Sequence, residues 1–166
     1  VPPGEPFSSS LGTEGDVVAL LRRLTGAGLS DVLAMREMTE PHAAAAAVSN
    51  ATGADVQAIQ EAHARATAQS DLEGFEKWDT EFHRLIFAAT RNELLIALHD
   101  ILKVSRNRPS WIALKRQIFT EEKRRAYCIQ HAQIADSIAR RDGPGAASAM
   151  RFHIDEISRN LLRRTM

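Results

Sequence analysis

Apolar residues recur at helical spacing over most of the chain. Val32, Met35, Ala43, Ala46 and Ala47 mark one face of a long segment. Ile134 and Ile138 share a face with His131, and Met150 and Ile157 share one with His153. Strand signals are nearly absent: β-branched alternation is scarce, no Asn-Gly turn occurs, and Ala and Leu abound. The pattern predicts an all-α fold, an antiparallel bundle of six or seven helices with short connections.

Caps and breakers place the boundaries. A short first helix covers residues 16–24 and ends at Gly26-Ala27-Gly28. Ser30 caps a long helix over 31–50, and Pro41 inside it should kink it by removing a donor and crowding the previous turn. Thr52 and Gly53 open a third helix, to about 70; Asp71 caps a fourth, to about 90; Asn92 caps a fifth that ends before Pro109. Residues 108–115 carry the weakest pattern. A sixth helix covers about 117–141, and Asp142-Gly143-Pro144 closes it and starts a seventh reaching about 164. Pro2, Pro3 and Pro6, with Gly4 and Ser8 to Ser10, mark residues 1–14 as a linker, leaving 15–166 as the folded domain.

Bulk properties narrow the class. A chain of 166 residues suits one domain with its own core, and 44% hydrophobic with 25% charged residues suits a soluble globular protein. No run of 18 apolar residues exists to span a membrane. The first residues have neither the charged nor the apolar segment of a signal peptide, and the chain starts without Met, as expected of a piece of a longer protein. Lys plus Arg and Asp plus Glu both total 21, so this segment lacks the basic excess of a nucleic-acid binder. The basic clusters Arg22-Arg23, Lys123 to Arg125 and Arg163-Arg164 read as solvated helix ends. The single cysteine, Cys128, cannot form an internal disulfide, which fits a reducing cytoplasm and a small buried apolar role.

Candidate chemistry centres on KWDTEFHRLI, residues 77–86. Asp79 and His83 are four residues apart, so a helix turns both to one spot. Such a pair is either a hydrogen bond or two ligands of a divalent cation. His131 and His153 lie on stripes that turn inward, and each alone needs only one hydrogen bond. Three inward histidines and an inward carboxylate are harder to bury separately, since each unpaired group costs about 1–3 kcal/mol. One shared cation would satisfy all four. His42 and His63 read as surface residues, the latter beside Gln60, Glu61 and Arg65, while His99 ends an apolar run and is the one spare histidine able to compete as a ligand.

Several stretches resemble the C-terminal effector-binding (FCD) domain of GntR-type transcription regulators of the FadR subgroup. They are Val32 to Pro41 (VLAMREMTEP) followed by alanines, Trp78 to Leu85 (WDTEFHRL), Ala89 to Leu95 (ATRNELL), His131 to Ala139 (HAQIADSIA), Asp142 to Ala146, and Met150 to Ile154 (MRFHI). They fall in family order over about residues 29–161. Each piece is loose; together they are specific. Met35 and Thr39 depart from commoner family residues, a change of packing more than of chemistry.

The resemblance implies a helical bundle, usually a homodimer, that binds a small carboxylate or sugar-acid effector. It implies Asp79, His83, His131 and His153 as metal ligands and turns Arg36 toward the effector's carboxylate. It also implies that residues 1–14 leave a winged-helix DNA-binding domain, through which alone DNA is contacted. Three imidazoles and a carboxylate suit zinc first, with nickel or another late first-row ion as alternatives, and open positions on the ion would accept the effector.

Arg36 has two readings, a bidentate clamp on a carboxylate or a helical pair with Glu40. Tyr127, one turn before His131, and Asn160, two turns after His153, either line the same pocket or simply pack. Two rivals remain. A metal-dependent enzyme is disfavoured because Glu-x-x-His pairs and His-Glu-x-x-His are absent and Glu81 should point away from Asp79. A metal-free structural or dimerisation bundle would hold the histidines by hydrogen bonds alone.

Overall fold

The computed structural model describes residues 13–162 and contains eight α-helices and no strand among them. They are α1 (Glu14–Thr25), α2 (Leu29–Asn50), α3 (Gly53–Thr67), α4 (Leu72–Ala89), α5 (Glu93–Arg106), α6 (Pro109–Ile118), α7 (Glu121–Ala139) and α8 (Gly143–Leu162). Most of the expected linker lies outside the described residues; Thr13 and Glu14 are the N-cap and first residue of α1.

Local chemistry explains most helix starts. Thr13 and Thr52 form reciprocal capping boxes with Asp16 and Asp55. Asp71, Asn92 and Thr120 cap α4, α5 and α7 through their side chains, and Asp142 accepts from Gly145 N at 2.9 Å at the start of α8. Ser30 is not the cap of α2: Gly28 holds that position without a side-chain bond. Pro41 lies buried within the helix, which runs on to Asn50. The eighth helix is α6, in the segment of weakest pattern, and it begins with Pro109, whose missing N–H has no intrahelical partner to lose at a first turn. Arg91 and Arg141, at φ 57° and 60°, end α4 and α7 in the left-handed region; the turn at Arg141 brings Asp142 N to Ser137 O at 2.9 Å, and the Arg141 guanidinium donates to Val48 O at 2.7 Å.

Helices α3 and α4 pack together across the short link 68–71, as do α7 and α8 across 140–142, so each pair runs antiparallel. Helix α2 packs most extensively on α8. Its small residues Ala43, Ala44 and Ala47 permit the close approach, against Phe82, Ile86, Ile138 and Met150. A second apolar cluster gathers Val32, Leu33, Leu102, Trp111, Ile118 and Leu161, and a third holds Ala66, Phe75 and Cys128. The polar site sits where the three clusters meet. No described helix is long and apolar enough to cross a membrane.

Candidate metal centre

The buried face of α4 is formed by Phe75, Asp79, Phe82, His83, Ile86 and Phe87. Helical spacing puts these side chains in one stripe, so the fold that buries the aromatic residues also buries the carboxylate and the imidazole. His131 arrives from α7 between Cys128 and Ile134, and His153 from α8 between Met150 and Ile154. All three histidines are fully buried, and Asp79 is 4% exposed.

One ligand atom from each of Asp79, His83, His131 and His153 lies within 4.8 Å of every other. Asp79 Oδ1 is 3.3 Å from His131 Nε2 and 3.8 Å from His83 Nε2, and the Nε2 atoms of His131 and His153 are 3.1 Å apart. Phe82 stacks on His131 at 4.4 Å between ring centres, and Tyr127 meets His153 edge-on at 5.5 Å.

Outer contacts orient these rings. His153 Nδ1 is 2.7 Å from Gln130 Oε1, which only accepts, so the proton is assigned to Nδ1 and Nε2 presents a lone pair. His83 Nδ1 lies 2.5 Å from Glu40 Oε2, on the carboxylate that also pairs with Arg36. Asp79 Oδ2 accepts from Arg106 Nη2 at 3.2 Å, leaving Oδ1 to the imidazoles. This carboxylate–histidine arrangement is the kind that fixes tautomers around a bound ion.

The electrostatics agree. Burial raises the Asp79 pKa, but the hydrogen bond with His131 and the neighbouring side chains of His83, His131 and Arg106 outweigh it and hold the carboxyl well below its ordinary range. Burial pushes His131 down and His153 far down, so both favour the neutral, ligating form. His83 Nε2 and His131 Nδ1 are buried without a hydrogen-bond partner. An N₃O set with converging lone pairs and an orphaned ring nitrogen fits a late first-row divalent cation.

Arg36 makes the helical pair with Glu40. Its Nε donates to Glu40 Oε1 at 2.6 Å, and its Nη2 is buried without a partner beside a small cavity that reaches Asp79. The pair is not the weak surface contact that helical spacing alone suggests, since both residues are at most 2% exposed. Tyr127 lines the cavity; Asn160 does not, and instead donates to the Tyr127 hydroxyl at 2.8 Å.

His63 is half-buried rather than a surface residue, with Nδ1 unpartnered and its ring edge-on to Phe82 and His131 at 6.4 Å. His42 is exposed, as expected. His99 is buried against Phe87, outside the group of four. Sequence reasoning missed Glu40 and Gln130 as orienting residues, and Arg106, Lys115 and Glu76 as cavity walls. Only Glu40 left a signal, its spacing from Arg36.

The Uxu operon transcriptional regulator of Escherichia coli strain K12 is 29% identical over 140 residues, a stretch that covers 82% of this chain and 54% of the relative. The Exu regulon transcriptional regulator of the same strain is 26% identical over 139 residues, covering 83% and 53%. The chain thus spans about half the length of the curated relatives it matches. Among solved structures, E. coli McbR/YncC aligns with a TM-score of 0.73 at 19% identity, over 83% of this chain and 66% of that one, a likeness of fold. The family model of the FCD domain matches residues 31–156, a span that includes Asp79, His83, His131 and His153, and the chain therefore belongs to the FCD domain family.

Proposed function

We propose that this chain is the effector-sensing domain of a GntR-type, FadR-subgroup transcription regulator. A small organic acid, a carboxylate or sugar acid, binds beside a divalent cation held by Asp79, His83, His131 and His153. Zinc suits the donor set, with nickel or another late first-row ion next. The observation that carries the reading is the convergence of these four side chains in the core, with their ligand atoms within 4.8 Å of one another. The ion, when bound, supplies a Lewis-acid centre on which a carboxylate or hydroxyl oxygen can rest.

The chain's own residues do the rest. Arg36 offers an unpartnered Nη2 to the acid, while Glu40 holds the guanidinium in place. The Tyr127 hydroxyl, fixed by Asn160, faces the same cavity. Three helices contribute ligands, so an acid that prefers one arrangement of α4, α7 and α8 shifts the domain toward it. That shift is passed to a DNA-binding domain elsewhere in the protein, with residues 1–14 as linker, in the cytoplasm. The regulators named above, about twice as long as the matched segment, support this division. They also support a sensor rather than an enzyme. The protein works as a homodimer on this reading, and the exposed apolar residues Val17, Val18, Leu20, Leu21 and Leu24 of α1 favour an assembly that covers them.

The test is metal analysis of the purified chain, followed by thermal melts with chelator and with a panel of carboxylates and sugar acids. One ion per chain, a loss of several degrees on chelation and a gain with some acid are expected. Absence of a bound ion together with indifference to chelator would leave a metal-free structural bundle.

A further inference from the structure

Two cationic side chains at the pocket have no role in the function proposed above. Arg106, on the last turn of α5, is 5% exposed; its Nη2 donates to Asp79, and its Nε is buried without an acceptor. Lys115, on α6, has a side chain only 13% exposed and pairs with Glu76. Arg36, Arg106, Lys115 and Lys123 all line the inner cavity, against Glu76 and Asp79 alone as anionic walls. With Glu40, which pairs with Arg36, four positive side chains stand against three negative ones, an excess of one positive charge. Two guanidinium nitrogens, Arg36 Nη2 and Arg106 Nε, also lack an acceptor there. Buried cations and unpartnered donors on residues that line one cavity call for an anion.

The shape says where that anion lies. The inner cavity has a volume of about 40 Å³, and an outer groove of about 670 Å³ opens between α4, α5 and α6. Leu72, Glu76, Arg106 and Lys115 line both. The inner space holds about three waters, so any acid of several carbons seated at Asp79 and Arg36 must reach outward past Arg106 and Lys115.

The geometry points to Arg106 and Lys115 as a second anion-recognising position, and to a small dicarboxylate as the effector. One carboxylate lies at the Arg36 end and the other meets Arg106 and Lys115, reached through the outer groove. This rests on the effector site proposed above. Glu76, which also lines the open groove, can turn to solvent when the second carboxylate takes its place at Lys115.

The test is calorimetric titration of the zinc-loaded chain with succinate and malate, against butyrate, lactate and glucuronate. The dicarboxylates should bind about tenfold tighter than the matched monocarboxylates or more. Lys115→Gln should lose about tenfold for succinate and malate, with butyrate and lactate within about twofold of wild type and zinc content unchanged; Arg106→Gln, measured at saturating zinc because Arg106 also holds Asp79, should lose about tenfold for the same two dicarboxylates. Arg106→Lys should recover part of the loss. Equal weakening of both classes would reduce Arg106 and Lys115 to structural roles, and glucuronate binding tighter than either dicarboxylate would overturn the class. If monocarboxylates bind without any dicarboxylate preference, this inference alone falls. If no acid binds the zinc-loaded chain, the effector site itself falls with it. The wild-type comparison decides even where a variant fails to fold.

Discussion

The Nε2 atoms of His131 and His153 face each other at 3.1 Å across the α7–α8 interface, with Asp79 Oδ1 3.3 Å from the first. His153 uses Nδ1 on Gln130, so its Nε2 is a lone pair; His131 has no partner at Nδ1. A proton on His131 Nε2 satisfies one contact and leaves His83 Nε2 bare. A cation satisfies every Nε2 together. His131→Ala is therefore expected to abolish stoichiometric metal binding, measured by elemental analysis after dialysis. Chelation of the parent chain should cost about 2.7 kcal/mol where free ion had stood 100-fold above its dissociation constant. That is about 5–10 °C in Tm for a chain of this size. Full metal content in His131→Ala would remove it from the ligand set.

Glu40 tests the outer contacts. It touches both His83 Nδ1 and Arg36 Nε, and burial, which raises its pKa, is outweighed by those two partners. Glu40→Gln keeps the shape and removes the charge. Metal affinity should fall about 10–100-fold, as for other outer-contact changes. Competition with a chromogenic chelator reads this directly, and an unchanged affinity would mean that His83 needs no orienting carboxylate.

Phe82 is fully buried and stacks on the His131 ring at 4.4 Å, so it belongs to the core and the site at once. Phe82→Ala removes a large apolar side chain and opens a cavity beside an imidazole. The expected cost is about 3–5 kcal/mol, read as a lower urea midpoint with an unchanged slope. A cost under about 1 kcal/mol would show that α4 collapses into the gap.

Much of this was legible in the sequence because the ligands ride on apolar stripes. Asp79 and His83 follow Phe75 and precede Ile86 and Phe87 on one face of α4, and burying that face buries them. Side-chain caps such as Asp71 and Asn92 are equally local. Helix α6 was not legible: ten residues are too few to be stable alone, and Trp111 and Ile118 are ordered by a cluster drawn from α2, α5 and α8. His63 looked exposed from its polar neighbours, yet it stands at the edge of that face against Phe82. Arg106 and Gln130 escaped notice because their partners lie on other helices, a relation that no periodicity within one helix reveals.

Buried neutral histidines give the stability a pH dependence. Burial lowers His131 and His153, and it lowers His99 from an ordinary 6.5 to about 4. A depressed histidine binds its proton more readily in the unfolded chain, so stability is lost as pH drops through the range where only the unfolded form is protonated. In the presence of chelator, Tm should be level above pH 7, begin to fall near 6.5 and keep falling toward about 4. Near and below pH 4, loss of the depressed Asp79 and Glu40 carboxylates adds to the fall. His99→Leu should flatten the acid limb; an unaltered limb would assign the effect to the other histidines.

Arg36 separates effector binding from metal binding, but a single change confuses the two. Arg36→Met removes the donor aimed at the acid and also strands Glu40, a buried carboxylate whose Oε1 loses its partner. Breaking a buried pair from one side costs about 3–5 kcal/mol, whereas replacing both partners by apolar groups is often neutral. The informative variant is thus Arg36→Met combined with Glu40→Met, compared with Glu40→Gln alone. Both should show the metal loss that follows from uncoupling His83 Nδ1. Beyond that, only the double variant should lose the acid at saturating zinc, by about 2–3 kcal/mol for a charge-assisted contact, or about 30–150-fold. Equal acid affinity in the two variants would show that the guanidinium serves Glu40 and not the ligand. Arg36 would then be a structural residue, and the acid would be held by the ion, Tyr127 and the Arg106–Lys115 position.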